Sequence, residues 1–193
     1  MVAVILAGGR SRRTAPVDKL QLRHVDLEAM LARVMRSVCP QLPRVLVAPR
    51  WRWQGLSRLG LPEARWVADP DEGPWRALRA ASAGPVGWLM VLPGDLPRPS
   101  PSLHRRLWEA RGPDIDAVTA AGPRGFQLPM VLRAELCGPE GPRSFRQGLR
   151  GRRLLRLDPR HLTSAERAGL VDVDRLSVAR RHGLACAVDA AIR

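Results

Sequence analysis

The chain has 193 residues, of which 45% are hydrophobic and 26% are charged, and its formal net charge at pH 7 is +14. The length allows one domain with a substantial core, so we predict a single domain over residues 1–193. The three cysteines are far apart and form no C-x-x-C pair, which argues against both a zinc site and a disulfide framework.

The strong positive charge does not by itself indicate nucleic-acid binding. Of the 32 basic residues, 31 are arginine, and they are spread along the chain rather than held in one block. The chain also has no Asn and no Tyr. This bias is typical of a GC-rich coding sequence, which replaces lysine by arginine over the whole surface. We therefore do not expect nucleic acid to be the partner.

The apolar start of the chain does not have the pattern of a targeting segment. It lacks a basic leader and reaches Gly8 too soon for a signal peptide. No apolar run approaches the length needed to cross a bilayer. We expect a cytoplasmic protein without a membrane partner.

Short apolar segments alternate with helix-like segments, which predicts a βαβ architecture with a mostly parallel central sheet. The segments predicted to be strands are residues 2–6, 44–48, 65–68, 87–92, 115–120 and 154–157.

Two helices are predicted between these strands. The first carries an apolar stripe with the helical period and ends at Pro40. The second begins at the N-cap Ser100, has Pro101 at its first position and runs through Trp108. The stripe of the first helix consists of Leu27, Met30, Leu31, Val34 and Val38.

Two further helices are predicted near the end of the chain. Thr163 and Glu166 fit a capping box, and Gly169 ends the helix that they begin. Asp174 is the expected cap of the last helix, which ends at Gly183. The residues expected on the buried face of that helix are Leu176 and Ala179.

Two polar segments follow predicted strands at the edge where ligands bind in open parallel sheets. The first covers residues 7–19, and the second covers residues 93–97. If the strands before them are neighbours, Lys19 and Asp95 project into one crevice. In that crevice a cation and a carboxylate would meet the same ligand.

Lys19 is the only lysine of the chain. An ammonium makes a point contact with a phosphate, whereas a guanidinium is a wide planar fork, so a lysine retained here indicates that arginine is unacceptable. Gly8 and Gly9 permit a backbone path that brings amide groups close to a ligand. The same pair also fits an ordinary tight turn, and the segment has neither the P-loop nor the dinucleotide-binding glycine pattern.

Asp95 also has two interpretations. In the segment P-G-D-L-P it can be a turn residue whose carboxylate accepts bonds from nearby amides. At the carboxyl end of a strand it can instead hold Mg²⁺ against phosphate oxygens.

Five motifs occur together in a recognisable order. The loop L-A-G-G-x-S-x-R-x-x-x-x-D-K covers residues 6–19, and Asp69 precedes Gly73-Pro74. L-P-G-D-L-P, Q-L-P and V-D-V-D follow at residues 92–97, 127–129 and 171–174. In this order they resemble the molybdenum cofactor guanylyltransferase family, the MobA-like nucleotidyltransferases, in which an Asn-x-Asn-Thr stretch stands in place of V-D-V-D.

The resemblance implies a three-layer α/β/α Rossmann-like sandwich. It implies transfer of GMP from GTP to the phosphate of the molybdenum–pterin cofactor, with release of pyrophosphate. Mg²⁺ would be the cofactor, GTP a substrate, and a molybdopterin-like anion the acceptor. A protein that delivers molybdopterin is a further partner compatible with the resemblance, and the oligomeric state stays open.

The resemblance also assigns roles to residues. Arg13 and Lys19 would neutralise the triphosphate, and Asp95 would be catalytic by holding Mg²⁺. Asp69 would accept hydrogen bonds from guanine. Asp18 would hold the loop rather than the ligand. The implied nucleotide-binding residues are Leu6, Ala7, Gly8, Gly9, Lys19, Asp69 and Asp95, and Asp172 or Asp174 could join Asp95 at the metal.

The chain departs from the family pattern in ways that leave other functions open. Thr14-Ala15 replaces Met-Gly, Pro16 follows, and Trp75-Arg76 places two bulky groups near the expected base site. The alternatives are another nucleotide or another phosphorylated acceptor, a member that binds a nucleotide or protein without turnover, and an anion- or nucleic-acid-binding module. The Leu-Ala-Gly-Gly form of the loop resembles the guanine-using branch of the family more than the cytidine-using one.

Overall fold

The computed structural model describes residues 1–8, 18–24, 26–82, 87–122, 126–138, 141–173 and 176–185. The strands are β1 (Val2–Leu6), β2 (Arg44–Ala48), β3 (Arg65–Ala68), β4 (Trp88–Pro93), β5 (Ala117–Ala120), β6 (Gln127–Arg133) and β7 (Leu154–Leu157). The α-helices are α1 (Met30–Arg36), α2 (Trp53–Ser57), α3 (Pro74–Ala81), α4 (Pro101–Glu109), α5 (Phe145–Gly148), α6 (Ser164–Ala168) and α7 (Leu176–Arg181).

The strands form one sheet in the order β3-β2-β1-β4-β6-β5-β7. Pairs β1–β2, β2–β3, β1–β4 and β5–β7 are parallel, whereas β6 is antiparallel to both of its neighbours. The prediction of a mostly parallel sheet is therefore confirmed. Because β1 and β4 are adjacent, the polar segments that follow them begin at the same edge of the sheet.

Two hydrophobic cores cover the two faces of the sheet and make three layers. Along β1 the side chains alternate, so that Ile5 joins one core and Val4 joins the other. Helices α1, α2 and α4 pack on the Ile5 face, and α3 and α5 pack on the Val4 face. The three-layer α/β/α sandwich expected from the resemblance is confirmed.

Strand β6 was not predicted. Its apolar run contains Pro129, and proline cannot donate a hydrogen bond to a ladder. The register between β5 and β6 shifts at Thr119/Ala120, where Thr119 pairs with Met130 and Ala120 pairs with Gln127. Pro129 lies inside this bulge, so its missing N–H leaves the ladder intact on either side.

Several predicted bounds were wrong by a few residues. The strand expected at residues 115–120 begins at Ala117, because the Ile115 N–H closes a turn onto the Gly112 carbonyl (3.2 Å). The strand expected at 87–92 runs from Trp88 to Pro93. Helix α1 begins at Met30, so Leu27 does not belong to it; Leu27 has φ +61° and is 56% exposed.

The caps of two later helices confirm the predictions from their sequence. The Ser100 hydroxyl accepts from the Leu103 N–H at the start of α4, where Pro101 is the first residue. Thr163 and Glu166 form the capping box of α6, and Gly169 ends it. Helix α7 has Ala179 buried, whereas its expected cap Asp174 lies outside the described residues. None of the helices in the described ranges combines the length and apolar character that crossing a bilayer requires.

Candidate active site

Strands β3, β1 and β4 all end at one edge of the sheet, and the predicted site residues follow them. The Gly94 N–H donates to the Leu6 carbonyl at 2.9 Å, which joins the segment after β4 to the end of β1. A side chain on Gly94 would come within 3.1 Å of that carbonyl, so any other residue would push the two segments slightly apart. With neighbouring strands about 4.8 Å apart, β3 and β4 are separated by about 14 Å. This span is comparable to that of an extended nucleotide.

Lys19 and Asp95 form an ion pair at this edge. Lys19 opens a short 3₁₀ turn whose N-cap is Asp18, and Asp95 lies directly beyond β4. The Lys19 Nζ contacts Asp95 Oδ2. The side chains are 20% and 13% exposed, so the pair is shielded but still reaches the surface. Sequence reasoning placed these two residues in one crevice, and the structure brings them into contact.

The segment before α7 reaches the same pair from the far end of the chain. The Val173 N–H donates to the Asp95 carbonyl at 3.0 Å, and Lys19 Nζ donates to the Val173 carbonyl at 3.3 Å. The Gln127 side-chain amide donates to the Leu170 carbonyl and holds this segment against β6. Three parts of the chain that are distant in sequence therefore converge at one point.

The sequence around Val173 has an Asp-x-Asp pattern. Asp172 is exposed next to Val173, and Asp174 lies outside the described residues. Asp172 precedes Val173 in the sequence, and the Val173 backbone bonds to both Lys19 and Asp95.

Arg52 is a site residue that sequence reasoning missed. Its side chain is 2% exposed, and its guanidinium donates to the Ala7 carbonyl (3.0 Å) and the Gly8 carbonyl (3.4 Å). It also pairs with Asp18 Oδ1 at 3.3 Å. Burial lowers the pKa of Arg52, an effect that Asp18 opposes. Arg52 thus joins the two ends of segment 9–17, and Asp18 holds the loop as expected.

Nothing in the sequence distinguishes Arg52 from the other arginines except its neighbours. It lies between Trp51 and Trp53, just beyond the end of β2. The carboxyl-end position is the signal that could have identified it, because segments beyond parallel strands line the ligand edge.

The structure brings Gly8 and Asp69 together. A side chain on Gly8 would collide with Asp69 Oδ2, so the carboxylate keeps this position only because residue 8 is glycine. Asp69 is fixed by its N–H, which donates to the Ala48 carbonyl at 3.0 Å, and by its Oδ1, which accepts from the Asp71 N–H at 3.0 Å.

The backbone groups of Leu6 and Ala7 are already engaged within the protein. The Leu6 carbonyl accepts from Gly94, and the Ala7 N–H donates to the Val47 carbonyl at 2.8 Å. These two groups therefore hold the edge of the sheet together, and the Ala7 N–H is not available to donate a hydrogen bond to a nucleotide. Gly9 and Arg13 lie outside the described residues, as do Thr14, Ala15 and Pro16.

Trp75 does not occupy the expected base site, which corrects the prediction. It is 1% exposed and packs in the core on the Val4 face of the sheet, with its ring centroid 6.0 Å from that of Phe145. Gly73 has φ +100° and begins α3 at Pro74, so the indole turns into the protein. The indole therefore contributes to the core on the Val4 face instead of lining the ligand edge.

The donor set at this edge fits Mg²⁺. Asp95 supplies a hard carboxylate oxygen in a side chain that is 13% exposed, and Mg²⁺ is typically held by one or two carboxylates together with substrate phosphates. The described residues contain no cluster of three or more metal-binding side chains. A substrate-assisted Mg²⁺ site at Asp95 does not require such a cluster.

Comparison with known proteins identifies the family. Residues 3–165 match the family model of the MobA-like NTP transferase domain. The chain belongs to the MobA-like NTP transferase family. This family is one of nucleotidyltransferases, whose substrates are nucleoside triphosphates. No curated protein sequence matches the chain.

Solved structures share the fold of this MobA-like chain at low sequence identity. A nucleotidyl transferase from Methanothermobacter thermautotroptrophicus superimposes with a TM-score of 0.73 at 22% identity, covering 94% of this chain and 95% of that one. Molybdopterin-guanine dinucleotide biosynthesis protein A from Archaeoglobus fulgidus gives 0.75 at 18% identity, covering 95% and 97%. The bifunctional IspDF from Campylobacter jejuni gives 0.72 at 15% identity, covering 95% of this chain but 54% of that one.

Proposed function

We propose that the protein is a Mg²⁺-dependent guanylyltransferase that transfers GMP from GTP to the phosphate of the molybdenum–pterin cofactor. The observation that carries this proposal is the convergence of Lys19, Asp95 and the Val173 backbone at the carboxyl edge of the sheet. The similarity to the Archaeoglobus fulgidus protein supports the choice of acceptor.

In the proposed reaction an oxygen of the acceptor phosphate attacks the α-phosphorus of GTP. The bond between the α-phosphorus and the bridging oxygen breaks, and pyrophosphate leaves with the electron pair. Little covalent help is needed, so positioning and charge neutralisation supply most of the catalysis. The Lys19 ammonium would move from Asp95 to the α-phosphate and stabilise the charge that develops there.

Asp95 would hold Mg²⁺, with Asp172 or Asp174 as a second carboxylate. When bound, the ion supplies charge neutralisation at the phosphate oxygens. Arg13 would add positive charge to the triphosphate from the segment that Arg52 holds at both ends. Asp95 follows β4 at this edge of the sheet, and the Val173 backbone next to Asp172 bonds to it.

Asp69 would select the base. Its carboxylate accepts hydrogen bonds, and the Watson–Crick edge of guanine presents N–H donors that cytosine and uracil do not match. The carboxylate lies against Gly8, in the segment that leads from β1 toward Lys19. The path between the base at Asp69 and the phosphates at Lys19 would be shaped by Leu6, Ala7, Gly8 and Gly9.

A nucleotide panel tests the proposal. Thermal unfolding is measured with GTP, CTP, ATP and UTP, each with and without Mg²⁺. At a hundredfold excess over Kd, the bound nucleotide should raise the free energy of unfolding by about 2.7 kcal/mol. Stabilisation selective for GTP and dependent on Mg²⁺ supports the proposal, and pyrophosphate release with the pterin acceptor completes the test. A response to CTP instead of GTP would assign a different nucleotide, and binding without turnover would identify a non-catalytic member.

A further inference from the structure

A polar cavity of about 700 Å³ is lined by the loop that follows Asp95. One wall is the loop after Asp95, and Arg98 in that loop is three residues away, so their Cα atoms are within about 11 Å. The other walls are the segment around His24 and the end of α7. We call this cavity the cationic pocket; its charged and titratable lining residues are His24, Arg33, Arg98, Arg180, Arg181 and His182.

The walls of the cationic pocket are held in place by the backbone. Arg23 and Ala185 exchange two backbone hydrogen bonds, of 2.9 and 2.8 Å, which fix the segment after α7 beside His24. Gly183 has φ +71° and ends α7 at the pocket. A small core packs beneath it, formed by Leu22, Met30, Val173, Ala179 and Leu184.

The positive charge of the pocket is only partly compensated. Arg33 pairs with the Asp26 carboxylate and, at 3.1 Å, with Glu28. Arg98, Arg180 and Arg181 are exposed and form no ion pair with a carboxylate in the described ranges. Three guanidinium groups therefore line one cavity, and no carboxylate of the described residues pairs with them.

Two imidazoles add unused hydrogen-bonding groups to the same cavity. Within the described part of the chain, His24 Nε2 and His182 Nδ1 are buried without a hydrogen-bond partner. Burial lowers the pKa of His24, with a further lowering by Arg33 and Arg98 and an opposing effect of Asp26 and Glu28. Burial, Arg98 and Arg181 lower the pKa of His182. Arg98 lies close enough to both rings to lower their pKa values, and the Asp26 and Glu28 carboxylates oppose this effect only at His24.

We propose that the cationic pocket binds the phosphate group of the acceptor substrate and so presents the acceptor to the nucleotide at Lys19 and Asp95. This inference rests on the proposed function, because the pocket serves an acceptor only if a nucleotide binds at the neighbouring pair. A phosphate monoester carries three terminal oxygens and close to two negative charges, which guanidinium forks and imidazole N–H groups match. A concave pocket concentrates these donors on one group, whereas a polyanion that follows the surface would need a stripe of them.

Histidine NMR tests the pocket directly, because the chain has only four histidines. Inorganic phosphate and glycerol phosphate are titrated into the full chain, with and without saturating non-hydrolysable GTP analogue and Mg²⁺. A bound dianion should raise the pKa of His24 and His182 by about one unit and leave His161 unchanged. The absence of any change at His24 and His182 would overturn the proposal.

Matched arginine variants give the second readout. Arg98→Gln and Arg181→Gln should each weaken glycerol phosphate binding about tenfold, because each removes a charge-assisted hydrogen bond. Arg58→Gln removes one exposed arginine that also forms no ion pair in the described ranges, and it should change the affinity less than twofold. Equal effects of all three variants would mean that net charge, rather than this pocket, attracts the anion.

The titrations with and without the GTP analogue distinguish a phosphate monoester from free phosphate as the ligand. They also distinguish failure of this inference from failure of the proposed function. A monoester that binds together with the analogue, and that inorganic phosphate displaces, supports the acceptor site. A monoester that the analogue expels would assign the pocket to the nucleotide itself, and binding of inorganic phosphate but no monoester would assign it to a free anion. Either result overturns the inference. Failure of the proposed function is a separate result, since it appears as no nucleotide stabilisation in the thermal panel.

Discussion

Lys19 is the residue on which the catalytic account depends most. Its ammonium contacts Asp95 and donates to the Val173 carbonyl, so one small cation satisfies two acceptors on segments that are distant in sequence. A guanidinium is too wide to fill this position without moving one of them. This geometry gives a physical reason why a chain with 31 arginines carries its single lysine here.

Lys19→Arg should lower kcat for pyrophosphate release by about two orders of magnitude, because the planar group cannot reach the α-phosphate position. Steady-state kinetics with GTP and the acceptor measure the effect. The matched control is the reverse exchange Arg58→Lys on the exposed surface, which should change kcat less than twofold. If kcat of Lys19→Arg is close to that of the wild type, catalysis does not require an ammonium at this position.

Arg52→Met should both destabilise the protein and weaken nucleotide binding. The change leaves Asp18 without this buried cation and the Ala7 carbonyl without its donor, so we expect a loss of about 3 kcal/mol in the free energy of unfolding. Urea unfolding measures this loss. Arg50→Met is the control two residues earlier, where the arginine is exposed, and it should cost less than about 0.5 kcal/mol. Equal costs for the two variants would show that Arg52 does not hold the loop.

At the scale of elements, helix α4 carries a buried imidazole that couples stability to pH. His104 is 4% exposed, and neither ring nitrogen has a hydrogen-bond partner among the described residues. Burial lowers the pKa of His104 from 6.5 to about 4; the nearby Ser37 backbone opposes this weakly, through a contact that falls short of hydrogen-bond geometry. The unfolded chain therefore binds this proton at a higher pH than the folded chain does.

The free energy of unfolding should fall as the pH is lowered from 6.5 to about 4, and the His104 contribution to this loss is about 3 kcal/mol. Urea unfolding at several pH values measures it. In His104→Leu the slope over this window should decrease, while His24 and His182 retain their smaller contributions of the same sign. An unchanged slope would mean that His104 is already charged or exposed in the folded state.

The elements that the sequence predicted and those that it missed differ in a physical way. Caps such as Ser100 and Thr163 act within one turn, so their local pattern is sufficient to predict α4 and α6. Strand β6 depends on a bulge that accommodates Pro129, and this exists only once β5 is beside it. Leu27 fits the apolar period of α1, but the chain enters that helix through a left-handed residue.

The same distinction applies to the site. Lys19 and Asp95 could be placed together because both follow predicted strands, and only the adjacency of β1 and β4 had to be assumed. Arg52 could not be found, since its role depends on carbonyls that a folded loop presents to it. Trp75 was assigned to the ligand edge from its place after Gly73-Pro74, but the direction of α3 turns it into the core.

At the scale of the whole molecule, the net charge of +14 predicts weak attraction to any polyanion. We expect oligonucleotide binding without sequence preference, and its affinity should fall by about three orders of magnitude between 50 and 200 mM salt. Fluorescence anisotropy with two unrelated duplexes measures both properties. Tight binding of one duplex that survives 200 mM salt would favour a nucleic-acid-binding function instead.

The central claim is that an ammonium and a carboxylate-held Mg²⁺ meet one nucleoside triphosphate at the Lys19–Asp95 pair. Calorimetric titration of GTP, with and without Mg²⁺, into wild-type protein and Asp95→Asn tests it most directly. The account predicts that Mg²⁺ strengthens GTP binding to the wild type about tenfold or more and has no effect on Asp95→Asn, because the amide is a much weaker ligand for the ion. The same Mg²⁺ dependence in both proteins, with the variant folded, would contradict the account.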